Sequence, residues 1–131
     1  LSTGEMEEIV AAHPAVAECA VVGIEDRDKG QLPVGLLLLK DGVDIPFEQL
    51  EAELVAMVRK AIGAFANFKR AVVVRRLPKT RSGKILRQII RKIADDKPFT
   101  APATIDDPLI LDEIREVFLQ QQIGLVAEDK V

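Results

Sequence analysis

From Leu77 to Ile85 the chain reads Leu-Pro-Lys-Thr-Arg-Ser-Gly-Lys-Ile, which places the three cations Lys79, Arg81 and Lys84 within six positions. Pro78 and Gly83 forbid a regular element here, so the segment reads as a loop, and Ile85, Ile89, Ile90 and Ile93 then recur at helical spacing. Thr80 or Ser82 can cap that helix, which turns the backbone N–H groups near Gly83 and Lys84 outward at a helix start carrying partial positive charge. With the Lys84 ammonium added, and Lys79 and Arg81 beside it, the segment suits a phosphate or a carboxylate. Gly83 allows close backbone approach. A Walker loop is excluded, because it needs Gly where Pro78 stands and Ser or Thr where Ile85 stands.

The loop sits in a wider cationic block. Lys69 to Lys92 holds ten basic residues and no Asp or Glu, while the rest of the 131 residues sets 8 basic against 21 acidic side chains, a net of −13. A basic block on an acidic body points to an anionic partner, the alternative being a solvated helix face. Nucleic acid is disfavoured: the block has no aromatic residue to stack on a base, and the chain has no Tyr or Trp. No apolar run approaches membrane-spanning length, so no membrane partner is expected. One cysteine, Cys19, and one histidine, His13, leave neither a disulfide framework nor a Cys/His metal cluster, and a reducing, cytoplasmic setting is expected. Cys19 itself reads as a small buried hydrophobe. Asp95-Asp96 and Asp106-Asp107 read as helix-end caps rather than as paired catalytic carboxylates.

The elements that must position this loop are legible in outline. Ser2-Thr3-Gly4-Glu5 has a capping-box pattern ahead of Met6, Ile9, Val10 and His13, and this first helix stops at Pro14. Val16 to Ile24 and Val34 to Leu39 read as two strands, antiparallel because of the short polar link from Glu25 to Gly30. Leu50, Leu54, Met57, Val58, Ala61 and Ile62 trace the inner stripe of a helix from Phe47 to Ile62 that ends at Gly63. Ala71 to Val74 is a third short strand. After Lys97 the segment from Pro98 to Asp107 has little periodicity, and Pro108 can open a last helix with Ile110, Ile114, Val117 and Phe118 inward; residues 127–131 are expected to fray. With 48% apolar residues the chain makes one core: an α+β fold in residues 1–97, with a small, mostly antiparallel three-stranded sheet covered by helices. Residues 98–131 form a C-terminal arm whose helix packs on that domain. The chain opens on Leu1 rather than Met and is expected to be a piece of a longer polypeptide.

The string Pro78 to Lys84, with Ala12-His13-Pro14-Ala15-Val16, Cys19-Ala20-Val21-Val22-Gly23-Ile24, Lys29-Gly30-Gln31 and Val58-Arg59-Lys60-Ala61-Ile62-Gly63, is similar to the C-terminal domain of AMP-forming short-chain acyl-CoA synthetases of the adenylate-forming superfamily. Its tail strings Thr104-Ile105-Asp106-Asp107-Pro108 and Leu111-Asp112-Glu113-Ile114-Arg115 most resemble propionyl-CoA synthetases, then acetyl-CoA synthetases. The resemblance runs from Leu1 to about Phe118.

The resemblance implies a ligase that joins propionate or acetate to ATP as an acyl-adenylate, releasing pyrophosphate, and then passes the acyl group to CoA. Lys84 matches the lysine of the first step, held in the supporting loop Lys79, Thr80, Arg81, Ser82 and Gly83. Arg59 matches an arginine that contacts the nucleotide phosphate of CoA. Ala11, His13 and Val16 match positions around a Mg ion, two of them necessarily through backbone oxygen, although a lone histidine at a helix end reads by itself as structural. Lys84 is also implied as a target of a protein acetyltransferase and a deacylase. ATP with Mg, CoA and a short carboxylic acid are then substrates, none bound tightly by this chain alone, which needs the N-terminal adenylation domain of the same polypeptide for activity. The alternative is a free-standing, non-catalytic module that binds CoA or another polyphosphate.

Overall fold

The computed structural model describes residues 2–128. Helix α1 (Thr3–Ala11) starts where Ser2 Oγ accepts the Glu5 N–H (3.3 Å), as the capping pattern requires. Strand β1 (Val16–Asp26) turns through Asp26, whose carboxylate accepts the N–H groups of Asp28 and Lys29 (3.1 and 3.0 Å), into strand β2 (Gly30–Leu39). Helix α2 (Phe47–Ile62) and a short 3-10 turn (Ala64–Ala66) lead to strand β3 (Arg70–Val73). Helices α3 (Arg87–Ala94), α4 (Leu109–Gln121) and α5 (Leu125–Glu128) complete the chain.

The sheet runs β1-β2-β3. β1 and β2 pair antiparallel from Val16↔Leu39 to Asp26↔Gly30, and β3 joins parallel to β2 from Val34↔Arg70 to Leu37↔Val73, with α2 as the crossover. β2 begins at Gly30, four residues before the apolar run does. Pro33 is tolerated in this central strand because it lies just before the stretch that β3 reaches.

Strand side chains alternate between two cores. Ala20, Val22, Leu36 and Val72 face α3, α4 and α5 through Ile90, Ile93, Ile114 and Phe118. Cys19, Val21, Leu37 and Ala71 face α1 and α2 through Met6, Val10, Leu50, Leu54 and Val58. Burial on both faces is why the strands read as unbroken apolar runs instead of alternating ones.

The α+β sheet covered by helices is as expected, and three details differ. α3 begins at Arg87, because Ile85 is extended and bridges Lys79. Ala61 is exposed, while Leu50, Leu54 and Val58 carry the α2 stripe. Ala127 and Glu128 are helical rather than frayed, and Glu128 pairs with Arg27 (2.7 Å); residues 129–131 lie outside the described residues. The arm from Pro98 onward shares the larger core with the strands through Ile105, Ile110, Leu111, Ile114, Phe118 and Val126.

Phe118 is fully enclosed in that shared core. Phe118→Ala is expected to lower the free energy of unfolding of the whole chain by about 3–5 kcal/mol in a urea titration, with one transition retained. A loss within about 0.5 kcal/mol, the size of a surface change, would mean that the arm does not share the core.

Candidate functional site

The segment that carries Lys84 is a closed turn. Lys79 and Ile85 pair as an antiparallel bridge, the Thr80 N–H donates to the Lys84 carbonyl (2.9 Å), and the Gly83 N–H donates to the Thr80 carbonyl (2.9 Å). Thr80 Oγ1 accepts the Lys84 N–H (3.1 Å) and hydrogen-bonds the Ser82 hydroxyl (3.0 Å). Gly83 sits at φ +91° with open space where a Cβ would be, so the turn's backbone, not a crowding neighbour, selects glycine.

These bonds correct the capping expectation. Thr80 and Ser82 close their own turn, and α3 starts three residues beyond Lys84 with no side-chain cap. The cause is Ile85, which stays extended to return the chain to the core and so separates the turn from the helix. The positive charge that the turn presents is therefore that of its side chains, not of a helix start. Arg81, Ser82, Gly83 and Lys84 are exposed, and among the described residues no carboxylate lies within ion-pair distance of Arg81 or Lys84. Lys79 is different: its ammonium pairs with Glu18 on β1.

The cationic block divides in the same way. Arg70 pairs with Glu51 (3.9 Å), Arg76 with Asp107 and Glu113, Lys79 with Glu18, and Arg87 with Glu7 (2.8 Å), so these four serve the fold. Lys69, Arg75, Arg81, Lys84, Arg91 and Lys92 have no such partner among the described residues.

Arg59 lies at the last turn of α2, where a cation faces the negative end of the helix, and it is exposed. It lines a groove of about 190 Å³ with Val55, Gly63, Asn67, Phe68 and Lys69, and no residue of the 79–84 turn reaches that groove. The structure thus keeps Arg59 and Lys84 apart.

At the positions that the resemblance puts around a Mg ion, the His13 side chain is already engaged. The His13 Nδ1 accepts the Ala15 N–H (3.0 Å), so in the neutral ring Nε2 carries the proton and donates it to Glu53 Oε1 (2.7 Å). Both ring nitrogens are engaged, and the His13 carbonyl accepts the Val16 N–H (3.0 Å). Ala11 is exposed, Val16 is buried, and no group of three His, Cys, Asp or Glu side chains that could hold a metal occurs among the described residues. His13 is a structural link between α1 and α2. Cys19 is buried and donates to the Glu7 carbonyl (3.5 Å); burial, helped by Glu7, pushes its thiol up to about 11, which suits an inert hydrophobe.

Asp95 is the C-cap of α3, and its carboxylate accepts the Glu25 N–H (2.8 Å); Asp107 accepts the Leu109 N–H (3.0 Å) at the start of α4. Both are therefore end groups, as their spacing implied. The residue that sequence reasoning missed is Arg76. Its Nε and Nη2 grip Glu113 (3.1 and 2.6 Å) and its Nη1 reaches Asp107 (2.8 Å), partners 37 and 31 positions away that no local pattern reveals.

Comparison with known proteins places this geometry in a family. Residues 5–84 match the AMP-binding enzyme C-terminal domain. A Pseudomonas aeruginosa protein described as uncharacterized is 61% identical over 95% of this chain and 20% of its own length. A Dictyostelium discoideum protein named acyl-CoA synthetase short-chain family member B, mitochondrial, is 50% identical over 87% of this chain and 17% of its own. The crystal structure of Brucella canis acyl-CoA synthetase superposes with a TM-score of 0.65 at 35% identity, over 70% of this chain and 17% of that one. The chain thus spans a fifth or less of the length of these relatives.

The Arg76 guanidinium holds the carboxyls of Asp107 and Glu113 below the usual carboxylate range. Groups whose folded pKa is depressed stabilise above their unfolded pKa, and that stabilisation is lost as pH falls through the folded value. The melting-temperature gap between the unaltered chain and Arg76→Gln should therefore be widest near about pH 7 and close toward about pH 2–3. A gap independent of pH would show that the pair acts by packing alone.

Proposed function

The chain belongs to the AMP-binding enzyme C-terminal domain family, and on that premise we propose that it is the small domain of an AMP-forming short-chain acyl-CoA synthetase that takes propionate or acetate. The observation that carries this reading is the exposed Lys84, without an ion-pair partner among the described residues, on a turn whose backbone is closed by its own hydrogen bonds. In the first step a carboxylate oxygen attacks the α-phosphorus of ATP, and the bond to the β-phosphate bridging oxygen breaks to release pyrophosphate. Two anions must approach each other, and the Lys84 ammonium, a compact point charge, bridges their oxygens once a closed site excludes water. In the second step the CoA sulfur attacks the acyl carbon and AMP leaves. Arg59 serves that step, since a guanidinium fork suits the nucleotide phosphate of CoA. Magnesium arrives with ATP as part of the substrate. Nucleotide and acyl pockets belong to the N-terminal domain of the same polypeptide, so this chain alone is inactive and holds no substrate tightly.

The propionate assignment rests on the tail strings around Asp106 and Asp112. A cytoplasmic setting is proposed from the single cysteine. Lys84, exposed and without an ion-pair partner among the described residues, is open to an acetyltransferase and a deacylase; acetylation would remove the charge that adenylation needs and disturb no ion pair among those residues.

In the full polypeptide, Lys84→Ala should lower propionate-dependent ATP–pyrophosphate exchange on the order of 100-fold or more while sparing thioester formation from preformed propionyl-adenylate and CoA. Enzyme acetylated only at Lys84 should show the same split. Equal loss in both half-reactions would refute the role. Arg59→Ala should do the reverse and raise the KM for CoA about 10- to 100-fold. An unchanged KM for CoA, read from initial rates, would remove Arg59 from the site.

A further inference from the structure

The family match ends at residue 84, yet the turn that carries Lys84 is held from outside that stretch. Thr80 pairs with Ile105 as an antiparallel bridge, the Arg81 N–H donates to the Thr104 carbonyl (2.9 Å), and the Asp106 N–H donates to the Lys79 carbonyl (2.9 Å). The turn is therefore one arm of a small ladder, with the Lys79–Ile85 bridge on one side and residues 104–106 on the other. Arg81 to Lys84 are exposed, so core packing does not fix where they point. Their direction is set by the ladder and by the Lys79–Glu18 pair.

The ladder's outer strand is fixed in turn at two points. Ile105 is buried in the larger core, and the next residue but one, Asp107, is gripped by Arg76, which also holds Glu113 on α4 through two hydrogen bonds. Arg76 stands one residue before the Leu77-Pro78 stem of the turn. It thus joins the near end of the Lys84 segment to the far strand that braces it.

We infer that Arg76, Asp107 and the Thr104–Asp106 strand are positioning elements that aim the Lys84 turn. This rests on the proposed role of Lys84 and adds the part of the chain that serves it. A well-placed cation loses much of its effect when displaced by about an ångström, so loosening this brace should slow the step that Lys84 serves and no other.

The test uses the full polypeptide with Arg76→Gln, Arg76→Lys, Asp107→Asn, Lys84→Ala and, as a remote ion-pair control, Lys97→Ala, which breaks an exposed pair with Glu25 (2.5 Å). Expected are a fall in kcat for ATP–pyrophosphate exchange on the order of 10-fold in Arg76→Gln, an unchanged KM for ATP, and thioester formation from preformed adenylate within about twofold of the unaltered enzyme. Arg76→Lys should restore part of the rate, and Lys97→Ala should leave both half-reactions unchanged. Should Arg76→Gln fail to fold, Asp107→Asn carries the same test, because its side-chain oxygen can still accept the Leu109 N–H. Equal loss in both half-reactions, or exchange within about twofold in the clamp variants, overturns the positioning role. If Lys84→Ala itself keeps normal exchange, the reading of the site falls and this inference with it. If Lys84→Ala abolishes exchange and the clamp variants do not, only the inference falls.

Discussion

Everything in this fold follows from a three-stranded sheet that must be buried on both faces. Leu36 and Leu37 are adjacent in β2, point in opposite directions, and are both fully enclosed. One face therefore needs α1 and α2, the other needs α3, α4 and α5, and the arm is part of the second cover. The sheet edges face the same demand for their backbone groups. Glu7 accepts the Val21 N–H and Asp95 the Glu25 N–H along β1, and Glu51 accepts the Ala71 N–H along β3, each at 2.8–2.9 Å. Glu7 is itself gripped by two nitrogens of Arg87 from α3, so one carboxylate ties α1, β1 and α3 together. A small sheet sealed in this way leaves the cations of interest on its periphery.

That periphery separates structural charge from available charge. Exposed ion pairs contribute only about 0–1 kcal/mol each, so the pairing of four cations of the basic block says more about geometry than about stability. The turn shows this most clearly. Lys79, at its stem, meets Glu18, whereas Arg81 and Lys84, at its tip, have no ion-pair partner among the described residues despite the chain's excess of carboxylates. A solvated face would intersperse its charges. Like charges left together on a turn with a fixed backbone raise the local positive potential.

Legibility in the sequence tracked the range of the interaction. The Ser2 cap, the α2 stripe and the Asp107 turn are local, and the residues within four positions of them specify them. Pro78 and Gly83 locate the turn but do not disclose its internal bonding, because Ile85 keeps the i, i+4 spacing with Ile89 whether or not it is helical. Only the core shows that Ile85 is extended. The strand order was invisible for another reason. Four residues of β3 carry no mark of parallel or antiparallel pairing, and it is the length of the α2 crossover that permits the parallel arrangement. The Thr80–Ile105 bridge and the Arg76 clamp join residues more than twenty positions apart, with no period to betray them.

The distance between Arg59 and Lys84 follows from the same sheet. Arg59 ends the crossover helix on one face, and the Lys84 turn leads into the helices on the other. The cores between them are closely packed and do not shear easily, so neither side chain can approach the other by flexing the domain. The two are proposed for different points of the bound substrates, Arg59 for the nucleotide phosphate of CoA and Lys84 for the carboxylate and α-phosphate, so their separation across a rigid body is consistent with both roles. Because the core does not flex to carry Lys84 to its target, the direction of the turn has to be set beforehand, and the brace at residues 104–107 is what sets it.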